Sequence, residues 1–132
     1  MKKRMLLYVA ASMLVAVACH NEETTIKKTA YKYSYAMANY RVDDAEKYAT
    51  TETRETTLVS ARQMIGRIGD DYIASDTPAK IKIIDWALTS DTTAYAVYHK
   101  TTPIKDFADT LILKKREGRW QAHAPLPVIK TE

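Results

Sequence analysis

The sequence predicts an α+β fold in which N-terminal helices pack on a curved four-stranded antiparallel sheet, preceded by a signal peptide. Three observations carry this. Apolar residues recur at steps of three and four as far as residue 74, and the period falls to two from Lys80 onward. Glu117-Gly118 separates two alternating runs and marks a tight hairpin. Helices grouped ahead of strands leave one sheet face to be covered by those helices, which is the α+β layer arrangement.

The export segment comes first. Lys2, Lys3 and Arg4 form a positive start, residues 5–17 are apolar apart from Ser12, and Ala16-Val17-Ala18 are small residues before Cys19. This is the three-part secretory pattern. A membrane-spanning helix needs about 20 apolar residues; this run is shorter, and His20-Asn21-Glu22-Glu23 stops it. Ala16-Val17-Ala18-Cys19 resembles the lipobox of bacterial lipoproteins. The resemblance implies that the Cys19 thiol takes a diacylglyceryl group, that the chain is cut before Cys19, and that the new amine is acylated, with palmitate the expected kind of chain. One acyl chain anchors marginally at about 0.8 kcal/mol per buried CH₂, whereas two or three hold firmly. Glu22-Glu23 resembles the acidic signal that sends some lipoproteins to the cell surface; a solvated linker would carry the same residues. The expected organisation is a signal peptide over residues 1–18, an acylated Cys19 with a polar linker to Thr25, and a domain over residues 26–132. The expected address is the bacterial envelope, lipid-anchored in the outer membrane on its periplasmic face or at the cell surface.

The formal charge of the 132-residue chain is +4, but three of its 20 basic residues leave with the signal. Seventeen then face 16 acidic residues, so the concentrated positive surface that nucleic-acid binding needs is missing. Cys19 is the sole cysteine, and its acylation removes disulfides, cysteine-zinc sites and a cysteine nucleophile from consideration.

The first helix is expected over Ile26 to Asn39, with Ile26, Ala30, Tyr33, Met37 and Tyr40 on one face and Thr24 or Thr25 as N-cap. Tyr31, Tyr33 and Tyr35 alternate as a strand would, but Ala36, Met37 and Ala38 favour helix. A break at Asn39 to Val42 precedes a short helix, Ala45 to Ala49, capped by Asp43 or Asp44. A longer helix, Glu52 to Ala74, places Leu58, Ala61, Ile65, Ile68 and Tyr72 on one face; Gly66 and Gly69 weaken it by roughly 1 kcal/mol each and favour a kink. Strands follow over Lys80 to Leu88, Thr92 to Thr101, Asp106 to Arg116 and Arg119 to Ala124. Ile81 and Ile83 are out of phase with Ile84, Trp86 and Leu88, and a bulge near Ile83-Ile84 would bring all five to one face. Pro125 and Pro127 end the last strand, and the tail from Ile129 is expected to fray.

The run Tyr40-Arg41-Val42-Asp43-Asp44-Ala45-Glu46-Lys47-Tyr48-Ala49, with the ending Thr110-Leu111-Ile112-Leu113-Lys114-Lys115-Arg116-Glu117-Gly118-Arg119-Trp120-Gln121, resembles small secreted members of the nuclear-transport-factor-2-like (cystatin-like) superfamily. The resemblance implies a sheet that wraps a long helix into a cone with an open mouth. Some members of that superfamily are isomerases or dehydratases that use an Asp, His or Tyr in the cone, and others bind ligands or proteins. Fold therefore does not choose the function.

No phosphate-binding glycine loop, HExxH motif or nucleophilic-serine elbow occurs. His20, His99 and His123 lack metal-ligand spacing, and no cofactor is indicated. The polar strand residues Asp85, Tyr95, His99, Asp109 and His123 are the material for acid–base chemistry. Asp109 lies in phase with Phe107, Leu111 and Leu113, Tyr95 and His99 lie in phase with Val97, and alternation against Trp120, Ala122 and Ala124 puts His123 on the surface. Asp109 and His99 fit better as a structural pair or as solvent-edge residues than as a working site. Tyr31 and Tyr35 lie off the core face of the first helix at a spacing of four, a pattern suited to partner or headgroup contact. The expected function is a non-catalytic binding or accessory subunit, held to the membrane by its lipid and partnered by another envelope protein or a small ligand. The alternatives are a small isomerase- or dehydratase-type enzyme, which would need Asp85, Tyr95, His99 or Asp109 to converge in a pocket, and a structural envelope component.

Overall fold

A computed structural model describes residues 21–127. The export segment, Cys19 and the tail from residue 128 lie outside the described residues. Helix α1 spans residues 21–38, α2 is Val42–Glu46, and α3 is Thr51–Thr53, continued by a π-helical turn, Arg54–Leu58, into α4, Val59–Ser75. The strands are β1 Lys80–Leu88, β2 Thr93–Thr101, β3 Asp106–Arg116 and β4 Arg119–Ala122, in one antiparallel sheet of order β1-β2-β3-β4. This is the expected α+β arrangement of helices on a four-stranded meander.

The core sits between α1 and one sheet face. Ile26, Ala30, Tyr33 and Ala36 meet Ala94, Ala96, Leu111, Leu113, Trp120 and Ala122, with Leu58 and Ala61 closing the side. Small residues on β2 let α1 come close to the sheet. Burial raises the Tyr33 hydroxyl pKa to about 12.

Asn21 to Thr25 are helical, where a linker was expected. The cause is a contact far along the chain: the Glu22 carboxylate accepts from the Trp120 indole N–H and pairs with the Lys115 ammonium at 2.7 Å, which seats the start of α1 on the sheet. Hydrogen bonds from Lys115 and Trp120 hold the Glu22 carboxyl below the usual range. Glu23 and Lys27 add an i,i+4 pair at 2.8 Å. Thr24 and Thr25 thus lie inside α1 and not at its cap, and the Thr25 hydroxyl donates to the Asn21 carbonyl.

The second helix starts at Val42, three residues before its expected first residue Ala45. Tyr40 adopts the left-handed conformation (φ 60°) and ends α1 in a Schellman motif, with Arg41 N–H donating to Ala36 O and Tyr40 N–H to Met37 O. Arg41 takes the N-cap position without a side-chain cap bond, so Asp43 and Asp44 complement the helix dipole from the first turn and cap nothing. In the long helix the expected kink is at Gly69, whose φ of 70° breaks the helical path.

The β1 bulge falls where the change of phase put it, with a difference in which residue it takes up. The register slips between Ile83 and Asp85, so Ile81, Ile83, Trp86 and Leu88 come into one phase. Ile84 is the extra residue and stays 52 % exposed. The last strand stops two residues short of Ala124: His123 N–H still donates to Ile112 O on β3, but Ala124 N–H turns to the Thr53 hydroxyl.

Candidate functional site

The polar strand residues divide between the two sheet faces. Asp85, Tyr95 and His99 lie on the face away from α1, where the register aligns Asp85 with Val97 and His99 with Ala108. Asp109 lies opposite Tyr98 on the helix-side phase, yet it is exposed and its carboxylate accepts from Thr110 N–H. Asp85 likewise accepts from Trp86 N–H. His99 does not pair with Asp109: its Nε2 meets the Asp106 carboxylate across the β2–β3 end. Alternation explains this, since Asp106 and Asp109 differ by three positions and face opposite ways. These four residues do not converge on one pocket.

His123 is half-buried. Its Nδ1 shares a 3.0 Å hydrogen bond with the Thr50 hydroxyl, which in turn meets the Thr53 hydroxyl at 2.8 Å. Burial, with Lys114 and Arg116 nearby, pushes its pKa down.

The two tyrosines off the core face come together with residues that the sequence did not single out. Tyr31 and Tyr35 stack with ring centroids 5.7 Å apart and 20° between planes, and Tyr31 is 42 % exposed. The left-handed Tyr40 turns the chain back so that Arg41 lies 5.9 Å from the Tyr35 ring centroid. One turn inward, the Lys32 ammonium lies 5.8 Å from the Tyr48 ring. Each such cation–ring contact is worth about 0.5–1 kcal/mol at an exposed site, enough to order the side chains but little more.

Two clefts flank this ladder. One, of about 170 Å³, is lined by Lys32, Tyr35, Ala36, Arg41, Asp44, Lys47 and Tyr48. The other, of about 460 Å³, is lined by Tyr40, Arg41, Val42, Asp43, Asp44, Arg62 and Ile65. They share Arg41 and Asp44. In the larger one the Arg62 guanidinium holds Asp43 at 3.0 Å and Glu46 at 2.7 Å, fixing α2 against α4.

The turn that presents Arg41 is held from below. Asn39 donates to Tyr35 O and Ala79 O and accepts from Ala79 N–H, joining the end of α1 to the start of β1. The Tyr40 hydroxyl donates to the fully buried Asp76 carboxylate at 2.6 Å, and Asp76 also accepts from the Thr102 hydroxyl at 2.7 Å and meets Lys105 at 3.4 Å. Burial pushes the Asp76 carboxyl up, but these donors outweigh it and hold the pKa low. Burial of the hydroxyl, and then its bond to the same carboxylate, raise the Tyr40 pKa. A tyrosine at a position that usually takes glycine was the available sequence signal for this clamp, and it is visible only once the helix end is known.

Among the described residues there is no cluster of three metal-ligating side chains, and no helix is long and apolar enough to cross a membrane. No protein-family model matches the chain, and no curated protein matches it. Among solved structures, a candidate NTF2-like transpeptidase from Campylobacter jejuni is similar at 10 % identity and a TM-score of 0.54, covering 72 % of this chain and 94 % of that one. An NTF2-like protein of unknown function from Shewanella oneidensis MR-1 is similar at 15 % identity and a TM-score of 0.55, covering 77 % of this chain and 97 % of that one. The chain therefore has the nuclear-transport-factor-2-like fold.

Proposed function

We propose that this chain is a lipid-anchored, non-catalytic binding subunit of the bacterial envelope that docks another protein through the face built by Tyr31, Tyr35 and Arg41. The observation that carries the docking role is the stacked tyrosine pair, Tyr31 exposed and Tyr35 half-buried, with its arginine, set beside two clefts on a rigidly braced helix end. Tyr and Arg are enriched among the residues that carry most of the binding energy at protein interfaces, Tyr through a large rigid ring and Arg through its planar array of donors. The lipid anchor rests on the Ala16-Val17-Ala18-Cys19 motif. Fold likeness at 10–15 % identity carries no activity over from the structural neighbours.

The test is cross-linking in intact cells, mild detergent extraction and recovery of the complex from wild type and from a Tyr31→Ala/Tyr35→Ala variant. The expected result is a discrete complex from wild type that the double variant loses at unchanged expression. Equal recovery from both would overturn the docking role.

A further inference from the structure

We propose that the smaller cleft receives a carboxylate side chain of the docked protein, and that the larger cleft beyond Arg41 and Asp44 receives an apolar side chain next to it. This rests on the docking role proposed above and names the chemistry of the partner.

Lys32, Arg41 and Lys47 surround the smaller cleft against one carboxylate, Asp44. Asp44 is engaged by Lys47 at 3.4 Å, a long and well-exposed pair that is worth at most about 1 kcal/mol. Lys32 and Arg41 have no ion-pair partner among the described residues and rest on the faces of Tyr48 and Tyr35. A guanidinium laid over a ring keeps its N–H edge free for an acceptor, which is the geometry that recognises a carboxylate. The cleft thus offers two uncommitted cations on a floor made by Ala36, which is buried.

Its size selects the ligand. About 170 Å³ is the room of roughly six waters, and it lies below the roughly 300–1,000 Å³ of sites that enclose a whole small molecule. One side chain fits. Asp44 on the wall favours a singly charged acid over a doubly charged phosphate, which it would repel more strongly. The larger cleft, about 460 Å³ and roomy enough for a bulky side chain, has an apolar wall of Tyr40, Val42 and Ile65, and the Arg62 and Asp43 charges beside it are already paired with each other. Because the two clefts share Arg41 and Asp44, neighbouring side chains of one peptide reach both. The partner segment is therefore an acidic residue beside a bulky apolar one.

The probe is a labelled peptide, Gly-Ser-Glu-Leu-Ser-Gly, titrated by fluorescence anisotropy into the full chain purified from envelopes in mild detergent. The Glu peptide is expected to bind about tenfold more tightly than its Gln counterpart, to weaken when Leu is replaced by Ser, and to lose its Glu preference in Lys32→Met and Arg41→Met variants. Both substitutions lie at exposed positions and keep the aliphatic stems, so folding is preserved, as circular dichroism would verify. Equal binding of the Glu and Gln peptides, no binding of either, or displacement by inorganic phosphate would each overturn the inference. If the tyrosine variant strips the cellular partner while the peptides bind equally, the docking role survives and this assignment falls.

Discussion

Replacing Asp76 tests the brace beneath the docking face. Asp76 is fully buried and accepts hydrogen bonds from Tyr40 and Thr102, so Asp76→Ala leaves two hydroxyls without their acceptor. A hydrogen bond to a charged group is worth about 1.5–3 kcal/mol. The Lys105 contact adds at most about 1 kcal/mol, being 3.4 Å long and made by a side chain 39 % exposed. The expected loss is about 3–5 kcal/mol, a large part of the roughly 5–15 kcal/mol that holds a domain of this size. Asp76→Asn keeps one acceptor oxygen and should cost about 1–3 kcal/mol. The pH dependence follows from the depressed carboxyl. An acid whose pKa is lower in the folded chain stabilises fully above its unfolded value of about 3.9 and loses that contribution as pH falls through the folded value. The gap between wild type and Asp76→Asn should thus be constant above about pH 5 and narrow steadily as pH falls below about 4. Urea unfolding followed by circular dichroism measures all three chains. An Asp76→Ala loss below about 1 kcal/mol, or a gap to Asn that ignores pH, would refute the reasoning.

Three further outcomes are expected. Deleting Ile84 should leave unfolding cooperative, because without the extra residue plain alternation keeps Trp86 and Leu88 in phase with Ile81 and Ile83, and Ile84→Thr, at an exposed position, should change stability by no more than about 0.5 kcal/mol; loss of cooperative unfolding on deleting Ile84 would contradict the bulge assignment. Trp120→Phe removes the indole donor to Glu22, and amide hydrogen exchange over residues 21–26 should accelerate about tenfold while the sheet is unchanged; unchanged protection at the start of α1 would be the contrary result. His123 has a lowered pKa, so its contribution is present above its ordinary value of about 6.5 and lost as pH falls through the lower folded value. The urea midpoint of wild type should fall between pH 7 and 5 by more than that of His123→Gln; parallel curves would count against the burial of His123 beside Lys114 and Arg116.

What the sequence made legible was local and periodic. Strands β1 and β3 carry their expected bounds because alternation over nine and 11 residues leaves little freedom. The bulge was visible as a change of phase among the isoleucines, although hydrophobicity alone suggested that Ile84 would be buried with the others. What stayed hidden depends on partners far along the chain. Glu22 is helical because of Trp120 and Lys115, nearly a hundred residues away. The start of α2 follows from a left-handed Tyr40 anchored on Asp76, and nothing adjacent to Tyr40 announces that bond. The same limit governed the candidate site. The spacing of four between Tyr31 and Tyr35 put both rings on one face away from the core, but Arg41 and Tyr48 join them only through the turn at Tyr40 and the placement of α2. Among the strand residues, alternation separates Asp109 from His99, while the β2–β3 register sets Asp106 diagonally across from His99 on the same face.

Site-specific photo-cross-linking in living cells tests the docking face most directly. A photoreactive residue placed at Tyr31, on the proposed face, is compared with one at Ile112, exposed on the opposite side of the sheet. The account predicts a single strong adduct from position 31, little from position 112, and loss of the adduct when Lys32 and Arg41 are both replaced by Met. Adducts of equal strength from the two positions, or from position 112 alone, would contradict it.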